Sequence, residues 1–212
     1  MRLYDYAASG NCYKARLLLA LLGREYERVA VDIFAGDTLT DEFAKLNSAR
    51  EVPVLELDDG ELLTQSNAIL WYLAEGTEFL PQGPLQRGRI VQWLFFEQER
   101  VMSGIGSARF RIATGRNPDL VPARLELGRT ALEMLEAHLE RRSFLVGGSC
   151  TIADVATFAY THVAEDAGYD LTGYPAVAAW LERVSQLPGF MDDLVPYPEN
   201  ARPGASRSIY DD

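Results

Sequence analysis

The sequence predicts an α/β N-terminal half followed by an all-α C-terminal half. Over residues 1–76 short apolar strand runs alternate with helical patterns in the order β-α-β-α-β-β-α. From residue 87 onward apolar residues recur at helical spacing and no convincing strand run is found. Between them Glu75 to Gln86 (EGTEFLPQGPLQ) is rich in Gly and Pro and reads as a linker.

In chain order, Arg2 to Tyr6 reads as a first strand and Ala7 to Asn11 (AASGN) as a small-residue loop. Cys12 to Leu22 follows as a helix with Ala15, Leu18, Leu19 and Leu22 on its apolar face, ended by Gly23. A second strand lies within Tyr26 to Ile33, and Asp41 to Leu46 is a short helix. Val52-Pro53 leads into a strand, Val54 to Leu57, and Asp58-Asp59-Gly60 makes the tight turn to a return strand, Leu62 to Thr64. Gln65-Ser66 then opens a helix carried by Ala68, Ile69, Leu70, Tyr72 and Leu73. Ser66 is expected as its N-cap, which would gather a hydroxyl, unpaired backbone donors and a positive helix end into an anion site.

In the second half, Arg87 to Arg111 is a long helical segment with Ile90, Trp93, Leu94, Glu97 and Val101 at helical spacing, and Gly104 and Gly106 predict a kink or break. Thr114 to Pro122 is a turn region, Ala123 to Arg141 a second long helix, and Ile152 to Ala164 an apolar, buried one. Thr151 and Asp154 have the spacing of a capping box at the start of that buried helix, a structural rather than catalytic use of the carboxylate. Pro175 to Leu187 is the last helix. The polar, Pro- and Gly-rich chain from Val195 is expected to be a flexible tail, so the predicted units are 1–76, 87–194 and a tail at 195–212.

Bulk properties narrow the function. The net charge of −11 argues against a nucleic-acid partner, which would meet a basic face. No run approaches a membrane span, and MRLYDYAASG lacks the apolar core of a signal peptide. Cys12 and Cys150 do not form a disulfide framework, and His138 and His162 have no partners at ligand spacing, so no metal is expected. Together these point to a cytoplasmic enzyme that interacts with neither membrane nor nucleic acid.

The run from Val52 through the hairpin to Q-S-N-A-I-L, after a β-α-β start, resembles the glutathione transferase family, and the resemblance spans about residues 2 to 190. It implies a thioredoxin-like glutathione-binding domain, an all-helical second domain and a homodimer. It also implies a cis Val52-Pro53 bond, with the Val52 backbone pairing to the cysteinyl part of glutathione as an added strand. Gln65 and Ser66 would hold the γ-glutamyl carboxylate, and Arg50 or Lys45 the glycine carboxylate. The approach Asn47-Ser48-Ala49-Arg50-Glu51-Val52-Pro53 departs from the family's common N-P-x-G-x-V-P.

For the group facing the glutathione sulfur, SGNCYKARLLL resembles the zeta-class segment, which implies Ser9. Asn11 falls where bacterial relatives with disulfide reductase activity, of nu-like type, carry a functional Asn in an N-x-x-K pattern. Either residue would serve equally well as a helix cap. Cys12 lies one or two residues off the beta-class thiol position and reads as buried, while Tyr4 and Tyr6 read as packing. Phe96, Met102, Arg109 and Phe110 are proposed for the electrophile pocket. The implied activity is a glutathione transferase acting on a small electrophile or a disulfide, with glutathione as substrate or cofactor and no metal. The alternatives are a glutathione-dependent cis–trans isomerase and a non-catalytic binding module of the same fold.

Overall fold

The computed structural model describes residues 1–211. Its sheet has four strands, β1 (Arg2–Asp5), β2 (Glu27–Ala30), β3 (Val54–Glu56) and β4 (Leu62–Thr64), in the order β2-β1-β3-β4. β1 pairs parallel with β2 and antiparallel with β3, and β3 and β4 form an antiparallel hairpin. The helices α1 (Gly10–Leu21), α2 (Asp41–Leu46) and α3 (Ser66–Ala74) complete the predicted order. This is the thioredoxin-like arrangement. β2 is shorter than the span from Tyr26 to Ile33, and all four of its residues pair with β1.

The second half is all helical. α4 (Pro84–Phe96) runs through a ten-residue π-helical stretch, Glu97–Gly106, into α5 (Ser107–Thr114). The kink expected at Gly104 and Gly106 is thus a widened turn rather than a break, a form often found at functional sites. Three helices follow, α6 (Val121–Leu139), α7 (Ile152–Thr161) and α8 (Pro175–Ser185). Among the described residues, no helix is long and apolar enough to cross a membrane.

One apolar core joins the halves, running from Leu3, Leu17 and Leu18 to Leu94, Val155 and Trp180. Small residues let the elements close up around it. The Tyr160 ring lies against both Gly10 and Gly106, so a Cβ at Gly106 would meet its Cδ1 at 2.7 Å. Gly104 faces the backbone of Gly128 on α6, where a Cβ would lie 2.5 Å from the Gly128 nitrogen. Arg16, fully buried, pairs with Asp5 and with Asp193 (2.8 Å) and donates to the Ala7 carbonyl (3.1 Å), which pins α1 to β1 and to the chain beyond α8.

The chain from Val195 differs from the expected free tail as far as Asp211, Asp212 lying outside the described residues. It returns along both halves, Asn200 Nδ2 donating to Asp32 (2.9 Å) and the Arg207 N–H to the Phe34 carbonyl (2.8 Å), and is held on the helical side by the buried Arg116. That guanidinium donates to the carbonyls of Ala201 (2.9 Å) and Tyr210 (2.6 Å) and to Ser206, and pairs with Asp211 (2.7 Å). Low sequence hydropathy says nothing about one arginine that satisfies four groups at once.

The capping box forms as the spacing predicts. Asp154 Oδ2 accepts from the Thr151 N–H (2.9 Å) and hydroxyl (3.0 Å), and Oδ1 from the Leu145 N–H (2.8 Å) and Trp180 Nε1 (3.0 Å). Burial raises the pKa of this carboxyl against the pull of those donors. Removing it strands several buried donors, each costing about 1–3 kcal/mol. Asp154→Ala should therefore lose at least about 3 kcal/mol in chemical denaturation while ligand affinity of the folded fraction is unchanged. A loss below about 1 kcal/mol would remove the box from the list of what holds the fold.

Candidate functional site

A cavity of about 550 Å³ opens where the two halves meet. Three loops of the first half form its floor, contributing Ser9 and Asn11, then Arg50 and Val52, then Gln65. Met102, Phe110 and Arg111 of the long helix form the opposite wall, and Tyr197 and Tyr210 of the returning chain close it from above.

Ser9 is the N-cap of α1, with an extended backbone (φ −81°, ψ 119°). Its hydroxyl oxygen accepts from the Cys12 N–H at 3.3 Å, which leaves its own proton free to donate into the cavity. Asn11 Oδ1 accepts from Lys14 Nζ (2.9 Å) and from the Ser66 hydroxyl (3.2 Å). With the oxygen engaged on the protein side, the Asn11 NH₂ is the end left for a ligand.

Beneath these residues lies a fully buried ion pair, Lys14 Nζ to Glu97 Oε1 at 2.7 Å. The ammonium also lies 3.4 Å from Ser66 Oγ and 5.3 Å from the Tyr160 ring centroid. Glu97 Oε2 accepts from Asn67 Nδ2 (3.0 Å) and Gln98 Nε2 (2.9 Å). Burial lowers the Lys14 pKa against the opposing attraction of Glu97. Sequence reasoning missed this pair, for which a Lys on the apolar face of the first helix and a Glu in register with Ile90, Trp93 and Val101 are the available signals.

The start of α3 corrects one expectation. Gln65, not Ser66, occupies the N-cap position, in an unusual conformation (φ 68°, ψ 113°), and Ser66 is the first helical residue. The Ser66 hydroxyl is turned inward to Asn11 and Lys14, so Gln65 reaches the cavity and Ser66 lies behind it. Strain of this kind at a non-glycine residue costs about 1–3 kcal/mol and gathers at ligand-binding positions.

The Val52-Pro53 bond is cis. Pro53 is buried behind the cavity and Val52 lines it. Among the described residues, no hydrogen bond takes up the Val52 N–H or C=O. The loop that precedes it closes without the family's Pro and Gly. Arg50 itself adopts the left-handed conformation (φ 58°), and Asn47 Nδ2 donates to the Glu51 carbonyl at 2.8 Å. Arg50 lines the cavity, but its Nη1 donates to the Thr38 and Thr40 carbonyls, each at 2.9 Å. Lys45 is exposed and outside the cavity.

Cys12 is fully buried and its thiol pKa is pushed up to about 12, so it stays protonated. Tyr4 donates to Glu56 (2.9 Å), and Tyr6 packs edge-on against Phe34 while also lining the cavity. Of the residues expected in an electrophile pocket, Met102 and Phe110 line the cavity and two do not. Phe96 packs edge-on against Trp93, and Arg109 is buried in a pair with Asp166 (3.0 Å). Sequence reasoning missed Arg111, Arg116, Tyr197 and Tyr210. The last two reach the site only because the chain folds back.

Residues 1–75 match the family model for the glutathione S-transferase N-terminal domain, and residues 100–188 the model for its C-terminal domain. A crystal structure of a glutathione S-transferase from Pseudomonas fluorescens is 44% identical with a TM-score of 0.86, covering 92% of this chain and 98% of that one. A possible glutathione S-transferase from Rhodopseudomonas palustris is also 44% identical, with a TM-score of 0.87 over 93% of this chain and 91% of that one. A delta-class glutathione transferase from Nilaparvata lugens is 30% identical, with a TM-score of 0.79 over 89% and 90%.

The buried pair can be tested in isolation. Removing one member of a buried pair costs about 3–5 kcal/mol, because the other charge is left uncompensated. Lys14→Met and Glu97→Leu should each lose about that much in denaturation, and the double variant should lose clearly less than the sum. Simple additivity would mean that the two charges do not sense each other.

Proposed function

The chain belongs to the glutathione S-transferase family, and on that premise we propose that it binds glutathione in this cavity, holds the sulfur as thiolate and transfers it to a small electrophile. The observation that carries the reading is the unpaired backbone of Val52, set on the same cavity as Ser9, Asn11 and Gln65. An extended tripeptide adds to such a backbone as a short strand. Its γ-glutamyl carboxylate then falls to Gln65 and the start of α3, whose positive end favours an anion. Arg50 and the buried Pro53 complete the peptide-binding side, Arg50 supplying charge and Pro53 shape.

A cysteine thiol has a pKa of about 8.5, so at neutral pH it is mostly protonated. Lowering that pKa by two units takes about 2.7 kcal/mol. The Ser9 hydroxyl, the Asn11 amide and the N-terminus of α1 are the donors at hand, and each favours the charged sulfur. The thiolate then attacks an electrophilic carbon, the C–S bond forms, and the leaving group departs with its electron pair. Thiol–disulfide exchange at the same sulfur is the second reading, favoured by the Asn11–Lys14 contact that completes the N-x-x-K pattern. The reading includes a cytoplasmic homodimer, supported by the two free buried cysteines and by Tyr72, Leu85 and Phe95 exposed on α3 and α4.

Calorimetry should show glutathione binding, weakened in Gln65→Ala by about 1.5–3 kcal/mol through a lost hydrogen bond to the γ-glutamyl carboxylate. No glutathione binding by the unaltered protein would end the proposal. For the thiolate, the absorbance of bound glutathione titrated against pH should shift upward in Ser9→Ala if its hydroxyl is the donor, with kcat/KM lowered and affinity nearly unchanged. If Asn11→Ala alone moves the titration, the amide is the donor. If neither does, no side chain is.

A further inference from the structure

The cavity reverses the sign of the molecule around it. The chain carries a net charge of −11, yet three arginines line the cavity, Arg50, Arg111 and Arg116, against one carboxylate, Glu51. Two of the three are engaged by the protein. Arg50 holds the Thr38 and Thr40 carbonyls, and Arg116 holds the returning chain through Asp211 and three further acceptors. Arg111 differs. Its Nε donates to Ser107 Oγ at 3.3 Å and its Nη1 is enclosed by protein, which leaves Nη2 as the end open to a ligand, and among the described residues no carboxylate pairs with the group. Burial and the charge of Arg124 both disfavour its own charge. An anionic oxygen at the open end is what would offset that.

Next to Arg111 the wall is aromatic. Phe110 packs 5.5 Å from Tyr197 and 5.4 Å from Tyr210, ring centre to ring centre, with Met102 lining the same wall. This surface takes a flat ring, and the guanidinium beside it takes an anionic oxygen in a charge-assisted hydrogen bond. The glutathione carboxylates have their own places at Gln65 and at the Arg50 loop, on the opposite side.

We propose that Arg111 is the anion receptor of the second-substrate site, so that the electrophiles this enzyme prefers are flat, aromatic and carry a carboxylate or similar anionic group. The proposal rests on the glutathione-transfer reading and names the substrate class of that site.

The test compares an acid with its neutral ester, 4-chloro-3,5-dinitrobenzoate against methyl 4-chloro-3,5-dinitrobenzoate. In both, the thiolate bonds to the ring carbon bearing chlorine and chloride leaves with the C–Cl electron pair. The acid-to-ester ratio of kcat/KM should fall about tenfold in Arg111→Gln, the scale of one hydrogen bond to a charged group. Arg111→Lys should retain part of the preference, and the KM for glutathione should stay within about twofold in both variants, since the binding lost is that of the other substrate. An unchanged ratio overturns the proposal, as does a loss of glutathione affinity with the ratio intact, which would give Arg111 to the peptide instead. Calorimetry with 4-nitrobenzoate and methyl 4-nitrobenzoate in saturating glutathione repeats the comparison without turnover. An acid preference lost in Arg111→Gln there, with neither chloride consumed by the unaltered enzyme, would sink the transfer reading and keep the anion receptor. Turnover of both chlorides without acid preference would do the reverse.

Discussion

The Lys14–Glu97 pair is the constraint from which the site takes its shape. Two fully buried charges cost several kcal/mol each in lost hydration, and mutual attraction repays this only when every remaining donor and acceptor is met. Meeting them recruits residues from both halves. Asn11 and Ser66 gather round the ammonium, and Asn67 and Gln98 round the carboxylate. The orientation of Asn11, the inward turn of the Ser66 hydroxyl and the exposure of Gln65 all follow from that gathering. The pair does not need to add net stability to matter, because its effect is to permit one arrangement of α1, α3 and the long helix and to penalise others.

How much of this was legible in the chain depends on the range of the forces involved. Elements set by local pattern were readable, including the strand order around Val52, the Asp-Gly hairpin and the Thr151–Asp154 box. So was the gathering of Ser9, Asn11, Val52 and Gln65 on one cavity, since their spacing resembles a known motif. Ser66 as an N-cap was not, because its hydroxyl is drawn inward by the buried ammonium 52 residues away in sequence. The loop at Arg50 could not be read from residue preferences, since a non-glycine there takes a left-handed conformation against its intrinsic cost. The chain from Val195 was least legible. Its composition is that of a disordered segment, and its order comes from long-range contacts, hydrogen bonds to Arg116, Arg109 and Asp32 among them, which leave no periodic trace.

The two sides of the cavity therefore differ in origin. The side formed by Ser9, Asn11, Val52 and Gln65 is built from short-range turns and helix starts. The facing wall combines the middle of one long helix with a returning segment, joined through Arg116, Phe110 and two tyrosines. On the proposed reading, keeping the first while varying the second would change which electrophile is accepted without disturbing how the thiolate is made. Recognition of one substrate would then be separated from activation of the other by architecture rather than by distance.

The widened stretch Glu97–Gly106 gives that variability an unusual handle. An α-helix advances 100° per residue, so the rotational phase of α5 relative to α4 is set by how many residues the π turns absorb. A π turn closes its hydrogen bond further along the chain than an α turn, so losing a single residue there would return that turn to regular winding and leave the helix downstream close to its old phase. Phe110 and Arg111 would keep their places on the cavity, and the change would fall on the widened stretch itself, where Met102 lines the same wall. Such a scaffold can shorten one part of a cavity wall without turning the rest, a step that no series of point substitutions reproduces.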